Sequence, residues 1–367
     1  MRSLASRALI LLATFLVLTA IADAPPAHTA HENPDVLATI TVGQNPNAIG
    51  VNPDTNRIYV SDRANATVFV IDGGNSRVID IDPGTPGTQG ITVGLGPFGI
   101  GVNASTNRVY VANEDGNTVS VIDIETGSPT ENTVIATIDV PVAFPRYVAV
   151  NPNTNCMYVS AEGGGVAVID GLTNTVVDQL SIFATFGWGV GINPNTNKIY
   201  ASHYDDTAAL TVFSVSGGTQ CSDFQYASSS VSLGSCASSP KVACQGKDVA
   251  VNASTNRIYV ANQDSDDVSV INGDTDTLET NIPLAGAGAD QPHGVGMNPS
   301  TNRIYVGGKN SNNVVVINGA DNSIMGTVTV GAQPEDVDVE EPPEPLRPVL
   351  HRPWPRRPFR LPLRPQR

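Results

Sequence analysis

The sequence predicts an all-β protein, a β-propeller built from four-stranded blades, on two observations. First, the stretch VNPDTNRIYV at residues 51–60 has five close copies, which begin at residues 102, 150, 192, 251 and 297. Each copy is typical of two strands joined by a tight turn, because Pro53 presets φ for the turn and Asn56 tolerates the left-handed conformation that closes it. Second, Tyr59 and its counterparts recur at spacings of 51, 48, 42, 59 and 46 residues, and four-stranded units of about this length are typical of propeller blades.

Each repeat supplies four β-type runs in a fixed order. The first run is short and contains Gly in most copies (AIGV, GIGV, YVAV, GVGI, DVAV, GVGM), which suits backbones that crowd together at a central axis. The second run carries the repeated Tyr, and the third reads TVFVID or a close variant. The last run resembles TVIATIDV of residues 133–140.

The number of blades depends on how the two ends of the repeat array meet. The array begins at residues 36–43 with VLATITVG, which is a run of the last type, and ends at residues 334–339 with PEDVDV, which is a run of the first type. Pairing both ends in one sheet would remove exposed edges from a ring of blades. We therefore expect six full blades and an incomplete seventh, closed by the N-terminal strand.

These motifs resemble a known repeat. The combination of NPxTNRIYVAN, TVSVID and PxGV over residues 36–339 is similar to the YVTN-type β-propeller repeat of exported bacterial and archaeal proteins. The YncE-like periplasmic propellers and the propellers of archaeal surface-layer proteins carry this repeat. The resemblance implies the fold and export. It says little about activity, because a repeat motif is structural and its hosts differ.

The N-terminus has the layout of a secretory signal. Residues 1–22 contain Arg2 and Arg7, an apolar run from residue 8 to residue 22, and a small-x-small pattern at residues 20–22. The run is short for a membrane span. We expect export to the periplasm, the cell surface or the medium, a flexible leader at residues 23–35, and no membrane span after cleavage.

Charge is distributed unevenly along the chain. The formal net charge is -15, but the residues between 24 and 339 hold 11 basic and 31 acidic side chains, so the predicted propeller carries -20. Such a body repels phosphate backbones, and nucleic acid is therefore disfavoured as a partner. Residues 340–367 are rich in Pro and hold seven Arg, and Pro at this density denies a sheet its donors. This tail is either a basic, disordered segment that binds an acidic surface or an out-of-frame end that replaces the rest of the seventh blade.

The fourth repeat is the longest, and we interpret residues 216–246 as a Ser-rich insertion. It contains Cys221, Cys236 and Cys244, while Cys156 replaces the Arg of a turn in the third repeat. In an exported protein a disulfide within the insertion is the favoured interpretation. Four cysteines allow three full pairings, among which the sequence does not choose. The spacings are not those of zinc ligands.

The loops that enter the first strands present one variable position on a common frame. These positions are Asn47, Phe98, Arg146, Trp188, Lys247, His293 and Glu335. Varied side chains on a fixed scaffold are typical of a binding surface. We therefore predict binding through Phe98, Arg146, Tyr147, Trp188, Lys247, His293 and Glu335, with tolerated variation at exposed loops as the alternative.

Three hypotheses for the function are consistent with the sequence. The leading one is an exported, non-catalytic and monomeric scaffold that binds a protein or glycan at the cell envelope, without a cofactor, because the sequence contains no catalytic motif. The second is a metal-dependent lactonase or lyase that uses His293 with Glu335 or Asp336. The third, implied by the YncE-like resemblance, is single-stranded DNA binding through Arg146, Lys247 and Trp188. Acidic loops such as NEDGNT at residues 113–118 are read as solvated turns rather than as calcium sites, because none completes a calcium loop.

Overall fold

A computed structural model describes residues 7–12, 18–22, 36–82, 89–204, 209–218, 220–234 and 245–340. The described chain is all-β: besides strands it contains three single-turn 3-10 segments, Ala104–Thr106, Cys221–Asp223 and Ala285–Ala287. No helix within these ranges is long and apolar enough to cross a membrane. The predicted leader at residues 23–35 lies outside the described residues, as does the Pro-rich tail beyond Glu340.

Twenty-nine strands form the sheets in the described part of the chain. The N-terminal strands are β1 (Arg7–Leu12), β2 (Leu18–Ala22) and β3 (Val36–Ile40). Blade 1 contains β4 (Pro46–Asn52), β5 (Arg57–Asp62), β6 (Thr67–Asp72), β7 (Arg77–Ile79) and β8 (Ile91–Thr92). Blade 2 contains β9 (Pro97–Asn103), β10 (Arg108–Asn113), β11 (Thr118–Asp123) and β12 (Thr133–Asp139). Blade 3 contains β13 (Pro145–Asn151), β14 (Cys156–Ala161), β15 (Gly165–Asp170) and β16 (Thr175–Leu180).

The remaining strands continue the same pattern. Blade 4 contains β17 (Gly187–Asn193), β18 (Lys198–His203), β19 (Ala209–Ser216) and β20 (Gln225–Ser232). Blade 5 contains β21 (Gly246–Asn252), β22 (Arg257–Asn262), β23 (Asp267–Asn272) and β24 (Thr277–Pro283). Blade 6 contains β25 (Pro292–Asn298), β26 (Arg303–Gly308), β27 (Asn313–Asn318) and β28 (Ile324–Thr329). The last strand is β29 (Pro334–Glu340).

Each of the six blades is a contiguous stretch of chain folded as an antiparallel meander. This architecture confirms the predicted all-β propeller with four-stranded blades. In blade 1 the outer edge is divided, because β7 and β8 both pair with β6. Within blade 4, β20 pairs with β19 along its whole length. The interpretation of residues 216–246 as an insertion is therefore wrong for residues 225–232, which form the outer strand of the blade.

The innermost strands contact one another in a ring, and β29 lies between β25 of blade 6 and β4 of blade 1. The order of the sheet that holds β29 is β29, β1, β2 and β3. The predicted incomplete seventh blade is therefore not observed, because β1 and β2, which belong to the residues predicted as a signal, lie between its two end strands. Both termini of the repeat array thus belong to one sheet, as expected from the types of strand at its ends.

The turn of each repeat has the predicted backbone. The Asn before the second strand is left-handed in all six copies, with φ between 51° and 56° at Asn56, Asn107, Asn155, Asn197, Asn256 and Asn302. The first Asn of the motif, four residues earlier in the chain, is buried and forms a hydrogen bond to the next blade in some copies. Nδ2 of Asn193, for example, donates to Oδ1 of Asn256 in the next blade at 2.7 Å, and the same bond joins Asn151 to Asn197. The motif therefore links neighbouring blades as well as closing the hairpin.

The hydrophobic core lies between adjacent blades. The repeated tyrosines of the second strands are at most 2% exposed and pack against Val and Ile of the neighbouring sheet. At the axis the innermost strands approach so closely that side chains are excluded: a Cβ on Gly99 would lie 2.2 Å from the carbonyl oxygen of Arg146. This contact explains the Gly of the first strands, as predicted.

A disulfide joins two blades. Cys156 at the start of β14 bonds to Cys221, which lies in the 3-10 turn between β19 and β20, across a sequence separation of 65 residues. The prediction of a disulfide within the insertion is wrong for Cys221, because the turn that carries it packs against blade 3. Cys236 and Cys244 lie outside the described residues.

Candidate binding site in the funnel

One end of the propeller axis opens into a cavity of 480 Å³. The second residue of each innermost strand lines this cavity: Asn47, Phe98, Arg146, Trp188, Lys247, His293 and Glu335. These are the seven variable positions of the sequence analysis. A position that differs from repeat to repeat is thus brought by the ring into one place, which we call the funnel.

Tyr147 lies elsewhere. It follows Arg146 on β13, and because side chains alternate along a strand it points away from the funnel. It is buried, contacts Phe98 edge-on at 5.5 Å between centroids, and lines a second cavity of 400 Å³ within the ring of innermost strands, which we call the axial channel. Tyr147 therefore supports Phe98 from below.

A second set of residues completes the funnel and escaped the sequence analysis. Arg63, Tyr204, Gln263 and Lys309 line the cavity, and each directly follows the second strand of its blade. Asn45, before β4, also lines it. The signal was present in the repeats, since the residue after the second strand differs between blades while the strand before it is similar. The signal becomes visible only when that column is compared across repeats.

Aromatic rings and cations alternate through the funnel. The guanidinium carbon of Arg146 lies 3.8 Å from the ring centroid of Trp188 and 4.8 Å from that of Phe98. Nζ of Lys247 lies 3.4 Å from the centroids of both Trp188 and Tyr204. Contacts of this kind hold a cation in place where water is excluded.

Three of the four funnel cations have carboxylate partners. The buried carboxylate of Glu114 lies 2.6 Å from Nη1 of Arg63 and 2.7 Å from Nη2 of Arg146, and Arg146 also pairs with Glu162. Burial raises the pKa of Glu114, while both guanidinium groups oppose that shift. Nζ of Lys309 lies 2.7 Å from a carboxylate oxygen of Glu335. These pairs join blades 1, 2 and 3 on one side of the funnel and blade 6 to β29 on the other.

Lys247 is the exception. It is 3% exposed, and within the described part of the chain its ammonium group has no carboxylate or hydrogen-bond acceptor in contact. Burial lowers its pKa to about 6, and the nearby positive charges of Arg146 and Lys309 add to the shift. The rings of Trp188 and Tyr204 favour the charged form and so oppose this shift.

His293 is held in a single orientation. Its Nδ1 lies 2.7 Å from the backbone oxygen of Glu335. A carbonyl oxygen only accepts, so Nδ1 carries the proton and Nε2 is free to accept in the neutral ring. Burial lowers the pKa of His293 to about 4, although the Glu335 carboxylate opposes the shift. The imidazole is therefore neutral at pH 7 and edge-on to Trp188 at 6.1 Å between centroids.

The residues of the enzyme hypothesis are only partly brought together. His293 and Glu335 are neighbours in the funnel, but Asp336 lines the axial channel, where its carboxylate accepts the backbone N–H of Ile49 at 2.8 Å. Among the residues that the structure describes, no group of three or more His, Cys, Asp or Glu is placed to hold a metal ion.

Three carboxylates on β21 and β29 line the axial channel, of which Asp248 and Asp336 are buried and Asp338 is half-buried. Asp248 accepts the backbone N–H of Val295, as Asp336 does from Ile49, and Asp338 accepts that of Val51. Each carboxylate thus satisfies a donor on the next innermost strand. Burial raises the pKa of all three groups, that of Asp338 to about 6, and the charge of Asp248 raises that of Asp336 further.

Comparison with known proteins adds to the fold. Neither a protein-family model nor a curated protein sequence matches the chain. Among solved structures, the chain is similar to hydrazine synthase of Kuenenia stuttgartiensis, with a TM-score of 0.65 and 18% identity over 84% of this chain and 94% of that one. At this identity the likeness shows the propeller fold alone, which is consistent with a binding scaffold. The resemblance to the YVTN-type repeat stays a prediction.

Proposed function

We propose that the protein is an exported, non-catalytic β-propeller that binds a protein or glycan partner at the cell envelope through the funnel end of the ring. The observation that carries the proposal is the funnel itself, where every innermost strand contributes one variable residue to a single cavity of 480 Å³. A rigid scaffold with variable residues at its rim is suited to recognition, because the scaffold fixes the position of each contact.

The rim of the funnel favours a macromolecular partner. Loops that enter β9, β13 and β17 carry large apolar side chains in solvent, among them Leu95 at 67%, Phe144 at 49% and Phe183 at 53% exposure. These loops belong to three neighbouring blades and lie at the same end as the cavity. Exposed apolar side chains that cluster beside a polar cavity are typical of interaction surfaces.

Export is supported by two independent features. Residues 1–22 have the layout of a secretory signal. The Cys156–Cys221 disulfide is of a kind that persists in oxidising compartments. Cleavage after Ala22 would remove the residues that pair as β1 and β2, so one molecule cannot both lose its signal and keep these strands. N-terminal sequencing of the exported protein distinguishes the two: a start near residue 23 supports the signal, and a start at Met1 supports a complete closing sheet.

Binding to isolated cell envelopes of the host tests the proposed function. We expect saturable binding of the purified protein that falls at least tenfold in Trp188→Ala and in Arg146→Ala. The control is Asp54→Ala, which alters an exposed turn residue at the opposite end of blade 1. Protease treatment of the envelopes abolishes binding to a protein, and periodate abolishes binding to a glycan. Equal binding by wild-type protein and funnel variants would overturn the proposal.

The funnel supplies only part of the residues that the two alternative functions, a metal-dependent enzyme and single-stranded DNA binding, require. A metal-dependent lactonase or lyase needs a ligand set, and the described residues supply only His293 beside Glu335. Single-stranded DNA binding needs open aromatic faces for stacking, whereas the Trp188 ring is already in contact with Arg146 and Lys247. Metal analysis of the purified protein tests the first alternative: a stoichiometric metal lost on chelation would revive it.

A further inference from the structure

The funnel is basic in an acidic protein. Its lining contains Arg63, Arg146, Lys247 and Lys309, against the single carboxylate of Glu335, whereas the chain between residues 24 and 339 carries -20. Four cationic side chains thus face the cavity, and their ability to bind an anion depends on which of them already has a carboxylate partner.

Most of this positive charge is already neutralised. Glu114, Asp115 and Glu162 pair with the two arginines, and Glu335 pairs with Lys309. Lys247 alone has no carboxylate partner among the described residues, and it is 3% exposed. On the ring that it contacts, the indole Nε1 of Trp188 is likewise buried with no acceptor within the described ranges. Lys247 lines the cavity without a counter-ion among the described residues, in surroundings that are otherwise largely desolvated, and an anion that entered the cavity would supply one.

We propose that the funnel binds one compact oxyanion, a carboxylate or a phosphate group, against the ammonium group of Lys247. The inference rests on the proposed function and names the chemistry of the partner's group that enters the cavity. One unpaired lysine matches one compact anionic group and does not match a polyanionic backbone, which needs a track of free cations. The aromatic contacts of Lys247 with Trp188 and Tyr204 hold the ammonium in place for that group.

Titration of Lys247 couples binding to pH. The groups that face it are Arg146 and Lys309, which lower its pKa, and Asp264 and Glu335, which raise it. With a pKa of about 6 in the free protein, the ammonium group loses its proton above that pH. Binding of an anion to the charged form then requires that Lys247 first take up a proton from solvent. The affinity for the anion therefore falls as the pH rises above about 6, by at most about tenfold per pH unit. His293 stays neutral across this range and adds no slope.

Tryptophan fluorescence reads the site directly. The chain has two tryptophans, Trp188 in the funnel and Trp354 in the Pro-rich tail, so Trp354→Phe leaves Trp188 as the sole reporter. We expect glucuronate or inorganic phosphate to change its emission saturably at pH 5.5, with at least tenfold weaker binding at pH 8. A response to glucuronate alone assigns a carboxylate, and a response to phosphate alone assigns a phosphate group; calorimetry should give one site in either case.

Substitution of Lys247 decides the role of the lysine. Lys247→Met keeps the apolar stem and removes the unpaired charge, so the fold should be as stable as in the wild type, and anion binding should weaken at least tenfold. The matched control is Lys198→Met, because Lys198 pairs with Asp276 outside the funnel, and binding should be unchanged. Equal anion affinity in wild type and Lys247→Met would overturn the inference.

Two further outcomes separate the inference from its rivals. Tight binding of oligothymidylate that falls steeply with salt and is not displaced by glucuronate or phosphate would replace the compact anion with a nucleic acid. Absence of any saturable anion response would also overturn the inference, while the proposed function would survive if envelope binding still depended on Trp188 and Arg146. If the anion still bound but the protein did not bind envelopes, the inference would survive and the proposed function would fail.

Discussion

Oε1 of Glu114 lies 2.7 Å from Nη2 of Arg146, and this contact joins blade 2 to blade 3 beside the funnel. The other oxygen of the same carboxylate pairs with Arg63 of blade 1. One buried anion thus compensates two cations from neighbouring blades. Removal of one partner from a buried ion pair costs more than the pair contributes, because the remaining charge stays buried.

Glu114→Gln should therefore destabilise the protein, by about 2 to 4 kcal/mol. The measurement is urea-induced unfolding at pH 7. Asp115→Asn is the matched control, because Asp115 also pairs with Arg63 but is 51% exposed, and its loss should cost less than about 0.5 kcal/mol. Equal effects of the two substitutions would contradict the central role of Glu114.

The Cys156–Cys221 disulfide should stabilise the propeller by restricting the unfolded chain. It closes a loop with a sequence separation of 65 residues, for which the cost of opening is about 2 to 5 kcal/mol. We expect Cys221→Ser to lower the free energy of unfolding by this amount. Thermal and urea unfolding, each with and without dithiothreitol, provide the measurement. If Cys221→Ser without reductant is more stable than the reduced wild type, a second disulfide contributes as well, and equal stability of wild type and Cys221→Ser without reductant would contradict the prediction.

The buried Asn of the repeated turn should matter more than its exposed neighbours. Asn193→Ala removes the bond to Asn256 and leaves the backbone N–H of Asn195 without its acceptor. The loss should be about 1 to 3 kcal/mol. Asn195→Ala is the control, because its exposed amide donates only to the carbonyl of Ala253. Urea midpoints of the two variants and the wild type decide the matter, and equal midpoints would show that the inter-blade bond is unimportant.

The repeats made the scaffold and part of the funnel predictable. The left-handed Asn, the Gly of the first strands and the seven variable positions follow from local rules that each copy obeys, and the ring then brings those positions together. The stack of Lys247 on Trp188 was not predictable, because it depends on the distance between strands of adjacent blades. The same reason applies to Cys156 and Cys221, whose pairing requires the packing of blade 4 on blade 3, and to β20, whose Ser-rich sequence is unlike the other outer strands.

The carboxylates of the axial channel should make the stability depend on pH. Burial raises the pKa of Asp248 above its ordinary value of 3.8, so the folded protein binds this proton more tightly than the unfolded chain. The contribution of Asp248 to the free energy of unfolding is therefore most favourable below its ordinary pKa of 3.8 and is lost as the pH rises through about 6. His293 has the opposite slope, because its lowered pKa makes the unfolded chain the tighter binder of its proton.

Asp248→Asn removes the pH-dependent contribution of the Asp248 carboxylate to the free energy of unfolding. The amide is neutral at every pH, and it keeps one oxygen that can accept from Val295, although Asp248 uses both oxygens. The variant therefore loses one hydrogen bond at all pH values. The difference in free energy of unfolding between variant and wild type should shift in favour of the variant by about 1 to 3 kcal/mol from pH 4 to pH 7. Urea unfolding at both pH values measures the change, with Asp54→Asn at an exposed turn as the control. A difference between variant and wild type that is the same at pH 4 and pH 7 would mean that Asp248 is not protonated more readily in the folded protein.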